Sequence, residues 1–131
     1  MAKKEVELRR VTHPMIDGFT DEFLEVYAGP DGAGGAPHYY EVHAAVEGEP
    51  VVLLKLHLQE GNPKDLAIGL NGIGNQTLML IALDFLKKAN AGEFACRETS
   101  VVITKLEEAM QWTKQRELDR RARGVYLQHK K

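Results

Sequence analysis

The stretch that decides the fold is residues 39–59, which read YYEVHAAVEGEPVVLLKLHLQ. Apolar side chains occupy every second position in residues 40–46 and again in residues 52–58. This period of two is typical of β-strands that bury one face, and the Glu-Gly-Glu-Pro segment between the runs is typical of a short connection. The sequence therefore predicts an antiparallel hairpin. Upstream, residues 20–28 suit another strand, and the Gly- and Pro-rich residues 29–37 predict a loop.

Downstream of the hairpin the period changes from two to that of a helix. A first buried helix is predicted from Asn75, as its N-cap, to the Asn-Ala-Gly segment at 90–92. Its predicted buried positions are Leu78, Leu80, Ile81, Phe85 and Leu86.

A second predicted helix runs from near Cys96 to about Arg123 and ends at Gly124. Its apolar stripe is Val102, Ile103, Leu106, Ala109, Met110 and Thr113. Such a helix is about 40 Å long, so we expect its second half to project or to lie against another subunit.

Strands followed by helices favour the α+β class over a doubly wound sheet. We predict an N-terminal antiparallel β-sheet, hairpin or meander, packed with two C-terminal helices of which the last is long. One domain is predicted over residues 1–131, mostly β in 1–60, a helical hairpin in 75–124 and a tail in 125–131.

Composition excludes several classes of protein. The single cysteine, Cys96, rules out an internal disulfide and a four-cysteine zinc site. The longest apolar run, residues 78–86, is too short to cross a bilayer, and the N-terminus does not resemble a signal peptide, which predicts a cytoplasmic protein. The net charge of −2 argues against a general nucleic-acid binder, although residues 105–131 carry eight basic and four acidic residues.

Short motifs give little support for catalysis. The Gly-rich segment 69–74 lacks the Lys and Ser/Thr of a phosphate loop, which leaves a simple turn or a weak anion site. His43 and His57 lie on the polar faces of neighbouring predicted strands and could be close together, either as a functional pair or as a plain surface pair. No nucleophile–base pair, carboxylate pair or metal-ligand spacing stands out, which lowers the expectation of an enzyme.

Two basic features of the last helix are harder to explain as plain surface. Arg97 lies in its first turn, where a cation opposes the helix dipole, and Val101 four residues on offers no ion pair. Either a ligand site or a tertiary ion pair would account for it.

The second feature is the row Trp112, Arg116, Arg120 and Arg123, which steps of four, four and three place on one helix face. Guanidinium groups in a row suit phosphate oxygens. The alternative is a solvated face, with intrahelical pairs from Glu117 to Arg121 and from Asp119 to Arg123. Arg116 and Arg120 lack such an acid, so we selected them as exposed ligand-binding candidates.

The same region resembles a phage protein family. Residues 94–99 read FACRET, residues 103–112 read ITKLEEAMQW and residues 122–125 read ARGV. This ordered signature resembles the first-described type of Thoeris anti-defence protein, and its central part is similar to the second-type anti-CBASS protein. A weaker resemblance extends upstream through HLQEGNPK at 57–64 and Asn71-Gly72, and none is found in residues 1–35.

The resemblance implies a signal sponge and not an enzyme. Members bind cyclised ADP-ribose isomers made by TIR-domain enzymes, some also take cyclic di- or trinucleotides, and they hold the messenger without cleaving it. The implied assembly is a homodimer or homohexamer with ligand pockets at subunit boundaries, in the cytoplasm of the infected bacterial host. It implies no cofactor, no metal, no membrane and no nucleic-acid polymer as partner.

Carried onto this chain, the resemblance predicts the ligand-binding residues Lys64, Asn71, Ala89, Phe94, Arg97, Thr99, Arg116, Arg120 and Arg123. Ala89 departs from the family pattern, which usually has an aromatic there to stack on a base. Either a shifted aromatic, Phe94 or Tyr126, replaces that ring, or the ligand preference of this protein differs. Thr99 stands where the family usually has Asn and keeps a hydroxyl. The alternatives left open are an enzyme that degrades such messengers and a small phage nucleic-acid-binding or assembly protein.

Overall fold

The computed structural model describes residues 7–16, 22–45, 47–48 and 51–127. The chain divides into two compact units, Met1–Gly72 and Ile73–Lys131. The first contains the sheet and the second the helices, as the predicted α+β class requires. That residues 1–131 behave as one domain stays a prediction.

The sheet is a four-stranded antiparallel meander. Its strands are β1 (Arg9–Val11), β2 (Leu24–Ala28), β3 (Tyr39–Ala44) and β4 (Val51–His57), in the order β1-β2-β3-β4. The predicted hairpin of β3 and β4 is therefore confirmed, and so is the strand predicted within 20–28. The loop between β2 and β3 contains one 3-10 turn, at Ala33–Gly35.

The predicted alternation holds at Val42 and Leu54 but fails at Val52, and the predicted burial of this face is wrong, since Val52 and Leu54 are 40% and 49% exposed. Val42 of β3 lies opposite Val26 of β2 and Leu54 of β4, whereas His43 lies opposite Val52. The ladder between β3 and β4 therefore skips Leu53, which forms a β-bulge. Burial is modest, since Ala28 is the one strand residue among those described in the buried class.

The helices are α1 (Asn75–Ala89) and α2 (Arg97–Ala122). The N-cap of α1 is Gly74 and not Asn75 as predicted, because Gly74 has extended φ and ψ of −89° and 163° while Asn75 is already helical. The predicted ends are confirmed. Gly124 follows α2 with a φ of +74°, the left-handed conformation that stops helices.

α1 and α2 form a hairpin with a thin core. Leu83 of α1 is buried, and α2 offers the partly buried Ile103, Leu106, Met110 and Thr113 of the predicted stripe, while Val102 is exposed.

The prediction of a fully buried first helix is wrong for three residues. Leu80, Ile81 and Phe85 are between 55% and 71% exposed, because the described part of this unit offers α1 a single helical neighbour. α2 also extends beyond the end of α1 by less than half of its length, which is less than predicted. Gln76 and Glu117 line one groove between the helices, so α1 accompanies α2 to within its last turns.

Candidate ligand-binding site on the helical hairpin

The connection between the two helices is fixed by one side chain. The Asn90 amide donates to Ser100 Oγ over 3.0 Å, and its Oδ1 accepts from the Cys96 backbone N–H, also over 3.0 Å. Cys96 is the N-cap of α2, and its Sγ lies 3.1 Å from Thr99 Oγ1. The first turn of α2 is thus held in a defined position relative to the end of α1.

Four predicted ligand-binding residues lie at this end of the hairpin. Ala89 is the last residue of α1, Phe94 is 82% exposed in the connection, and Thr99 is partly buried. Arg97 is exposed and has no ion pair within the described parts of the chain. The tertiary pair that would have explained Arg97 as structural is therefore not found among those residues.

Arg116 and Arg120 lie near the other end of α2 in different environments. Arg116 is exposed, and no described residue forms a hydrogen bond or ion pair with it. Arg120 is only 8% exposed, and its Nη2 donates to the Val125 carbonyl over 2.9 Å. The predicted exposure of Arg120 is therefore wrong, although its role toward a ligand stays a prediction.

The reason lies in the spacing of the buried side of α2. From Ile103, steps of three and four lead through Leu106, Met110, Thr113 and Glu117 to Arg120, all of which are partly or fully buried. The apolar stripe therefore ends in an arginine. The signal was in the sequence, since this spacing is that of a helix seam.

The chain that follows α2 folds back on it. The Arg121 guanidinium lies 4.0 Å from the centre of the Tyr126 ring, and its Nη2 donates to Glu117 over 2.9 Å. Hydrogen bonds from Tyr126 and Arg121 lower the pKa of Glu117. Together with the Arg120–Val125 bond, these contacts hold the tail against the last turns of the helix.

Both predicted intrahelical ion pairs are confirmed. Arg121 binds Glu117, and Arg123 Nε donates to Asp119 Oδ2 over 2.9 Å. Arg123 is therefore engaged with its own helix, unlike Arg116.

The two groups of predicted residues are far apart within one chain. Arg116 follows Arg97 by 19 residues of continuous helix, which places their backbones about 28 Å apart. No single messenger-sized molecule bridges that distance. The open grooves of about 660 and 500 Å³ on the hairpin are lined by neither arginine.

Lys64 and Asn71 lie in the sheet unit. The Lys64 side chain is exposed. Asn71 uses its amide locally: Oδ1 accepts from the Glu60 N–H over 2.9 Å, and Nδ2 donates to the Glu60 carbonyl over 2.8 Å. The structure thus gives Asn71 a part in loop conformation, and its role toward a ligand stays a prediction.

The two histidines on neighbouring strands are not paired. His43 lies 2.7 Å from Glu41 and packs on Tyr27, whereas His57 packs on Tyr39. No local pattern in the sequence indicates the polar contact between His38 and Gln59, because it joins residues 21 positions apart in the chain.

The described residues contain neither a cluster of metal ligands nor a membrane-spanning helix. Within the described ranges, no three His, Cys, Asp or Glu side chains converge as metal ligands. No described helix has the length and apolarity needed to span a membrane.

Residues 57–116 match the family model of the Acb2/Tad1 hairpin domain. The match includes both helical residues of interest, Arg97 and Arg116. The chain therefore belongs to the Acb2/Tad1 hairpin class.

Within that class, the chain is 32% identical over 117 residues to Thoeris anti-defense 1 of Bacillus phage SBSphiJ7. The alignment covers 73% of this chain and 81% of that protein. This places the chain in the Tad1 type and confirms the predicted resemblance.

Proposed function

We propose that this protein is a phage anti-defence sponge that acts against Thoeris immunity. It binds a cyclic ADP-ribose-type second messenger in the cytoplasm of the infected bacterium and holds it without cleaving it. The observation that carries the proposal is the pair Arg97 and Arg116, two exposed guanidiniums on the family's signature helix without a partner among the described residues.

The chemistry of an unpaired guanidinium suits the diphosphate of such a messenger. A guanidinium presents two parallel N–H donors that match two phosphate oxygens. Each charge-assisted contact contributes roughly 1.5–3 kcal/mol. Nanomolar capture needs about 12 kcal/mol, so several such contacts plus base stacking are required.

The site is best formed by two subunits. Arg97 and Arg116 lie too far apart to share a small ligand in one chain, but two α2 helices packed antiparallel bring Arg97 of one protomer beside Arg116 of its partner. The exposed apolar side chains of the hairpin support such packing. They are Leu80, Ile81, Phe85, Val101, Val102, Trp112 and Leu118.

Recognition of the adenine needs another residue than Ala89, which has no ring. Phe94 lies in the same connection and is 82% exposed, so its ring is available to stack on a base. Stacking of this kind contributes about 1–3 kcal/mol per base. Thr99, three residues into α2, adds a hydroxyl for hydrogen bonding.

The first experiment tests sequestration against cleavage. The protein is incubated with a cyclic ADP-ribose isomer, the free messenger is measured, and the complex is then heated. We expect depletion of free messenger followed by recovery of the intact molecule. Recovery of a linear product would instead show an enzyme that degrades the messenger.

The second experiment tests the shared site by mixing two inactive variants. Arg97→Gln and Arg116→Gln should each weaken binding, so that at a messenger concentration near the original dissociation constant neither variant is appreciably occupied. A heterodimer of the two, however, has one site with both mutations and one site with neither. Free exchange of protomers in a two-fold dimer should therefore restore about a quarter of the sites. A site within one chain would show no restoration.

The third experiment defines the ligand and the assembly. Thermal unfolding is followed with cyclic ADP-ribose isomers and with cyclic di- and trinucleotides, and sedimentation distinguishes a dimer from a hexamer. A ligand at a hundred times its dissociation constant adds about 2.7 kcal/mol to the free energy of unfolding. Retention by duplex DNA without any shift from these nucleotides would favour a nucleic-acid or assembly protein.

A further inference from the structure

His38, the residue before β3, contacts two loops through its ring. Its Nε2 lies 2.7 Å from the Ala33 carbonyl oxygen, and its Nδ1 lies 3.1 Å from the Gln59 carbonyl oxygen. A carbonyl oxygen only accepts hydrogen bonds, so each nitrogen must donate. The ring satisfies both contacts only as an imidazolium with two N–H groups.

The surroundings of His38 favour that charged form. The pKa of His38 is raised chiefly by the hydrogen bond to Ala33, against an opposing effect of burial, with further contributions from Gln59 and Glu60. Glu60 Oε2 lies 3.7 Å from Nε2. The other titratable side chains of the same shallow hollow are Tyr39 and His57.

Gln59, whose backbone carbonyl His38 contacts, also binds the loop at residues 60–72 through its side chain. Its Nε2 donates to the carbonyls of Gly61 and Gly69 over 3.2 and 2.9 Å. Its Oε1 accepts from the backbone N–H groups of Asn71 and Gly72 over 2.9 and 3.2 Å. One side chain thus closes the loop, and its backbone carbonyl is bound by His38.

At Gly72, the last residue of this loop, the chain passes close to the backbone of β4. A Cβ on Gly72 would lie 2.5 Å from the His57 carbonyl oxygen, so only glycine allows this approach. Leu66, Ile68 and Leu70 of the loop are between 42% and 102% exposed, so these residues form no buried core and the loop is held chiefly by its polar contacts.

We propose that His38 is a positioning residue: a clasp that joins the 31–37 loop to the 60–72 loop only while both of its ring nitrogens carry protons. Loss of one proton turns a donor into a lone pair that faces a carbonyl, so one of the two ring contacts is lost. The Leu58 backbone N–H still donates to the His38 carbonyl over 2.8 Å, so the 60–72 loop is weakened and not released. The consequence for ligand capture rests on the proposed function, since that loop carries Lys64 and Asn71.

The direction of the pH dependence follows from the contacts. Because the folded-state pKa is raised above 6.5, the clasp is complete below the ordinary histidine value. It is lost as the pH rises through the folded-state value. We therefore expect the 60–72 loop to loosen as the pH rises above 6.5 and through the folded-state pKa of His38.

The test combines histidine titration with amide exchange on the full-length protein. Nitrogen NMR should show that His38 keeps protons on both ring nitrogens above pH 6.5, the ordinary histidine pKa. Protection of the Asn71 and Gly72 amides, corrected for intrinsic exchange, should fall as His38 titrates, by about tenfold for each unit that its pKa is raised. His38→Gln should remove this pH dependence, and His57→Gln should keep it.

Two results would overturn the clasp: an ordinary His38 titration, or loop protection that does not follow it. Messenger affinity, measured across the same pH range, is a separate readout. A clasp confirmed by NMR with constant affinity would refute only the link to the ligand. A clasp confirmed in a protein that binds no messenger would refute the proposed function and leave the clasp standing.

Discussion

The polar cluster of the sheet and the two predicted ligand-binding arginines of the helical hairpin, Arg97 and Arg116, differ in whether their polar groups find partners. On the sheet, Glu41 accepts hydrogen bonds from Tyr39 and from His43, and Arg10 pairs with Glu25. On the hairpin, Arg97 and Arg116 face outward without a partner among the residues described. Groups that satisfy one another serve structure, whereas exposed guanidiniums without partners are available to bind.

The same comparison applies within α2. Arg116 and Arg120 differ by one helical turn, yet one is exposed and the other is buried against the Val125 carbonyl. Replacing each residue separately therefore distinguishes binding from stability.

The largest effect should come from Arg116→Gln. Removing its phosphate contacts should weaken messenger binding by about 2–3 kcal/mol, roughly 30- to 150-fold by calorimetry. The melting temperature should not change, because the side chain makes no described contact. Lys105→Gln removes the same charge from the same helix and serves as the control. An unchanged affinity in folded Arg116→Gln would disprove the site.

Arg120→Met should act on stability first. The substitution keeps an apolar stem in the seam but removes the bond to Val125, which should lower the free energy of unfolding by about 1.5–3 kcal/mol. Denaturant unfolding measures this loss, and limited proteolysis should show faster cleavage of residues 124–127. Full stability would mean that the tail is held by other contacts.

Arg97→Gln should raise the stability of the protein while it lowers the affinity for the messenger. Removing a cation from the first turn of α2 should raise the free energy of unfolding by about 0.3–1 kcal/mol, while messenger affinity falls. Thermal unfolding and calorimetry on one sample measure both. A loss of stability would indicate that Arg97 has a structural partner after all.

The last prediction concerns the sheet, where the effect appears only in strongly alkaline solution. Burial, and after it the Glu41 carboxylate, raises the pKa of Tyr39 to about 12. Because an unfolded tyrosine ionises near 10.0, the sheet should lose stability as the pH rises from that value toward the folded one. Ultraviolet titration should show a lower pKa for Tyr39 in Glu41→Gln. Glu25→Gln, whose carboxylate contacts Tyr27, should leave it unchanged.

The sequence predicted the order of elements because their periods are strong. The alternation around Val42 and Leu54 and the apolar stripe around Leu106 each appear over several repeats. The predicted exposure of Arg120 is wrong because the spacing from Arg116 alone does not identify the exposed face. The partly buried stripe that begins at Ile103 leads to Arg120. The sequence also predicts Leu80 and Phe85 as buried, which is wrong, since apolarity alone does not distinguish a buried position from an exposed one.

The contacts of His38 could not be predicted in this way. They join residues 21 positions apart, His38 and Gln59, through a ring nitrogen and a backbone carbonyl. No local pattern indicates which carbonyl a histidine will meet. The resemblance predicts Lys64 and Asn71, in the neighbouring loop, as ligand-binding residues. The structure shows that the Gln59 side chain binds the backbone of this loop.

The separation of Arg97 from Arg116 along one continuous helix has a consequence for dosage. If each pocket needs two chains, the number of working pockets depends on how many chains have met, and not simply on how many have been made. At low expression, doubling the number of chains would then more than double the capacity for messenger. We therefore expect protection of the phage to begin abruptly, at a threshold set by the affinity of the subunits for each other.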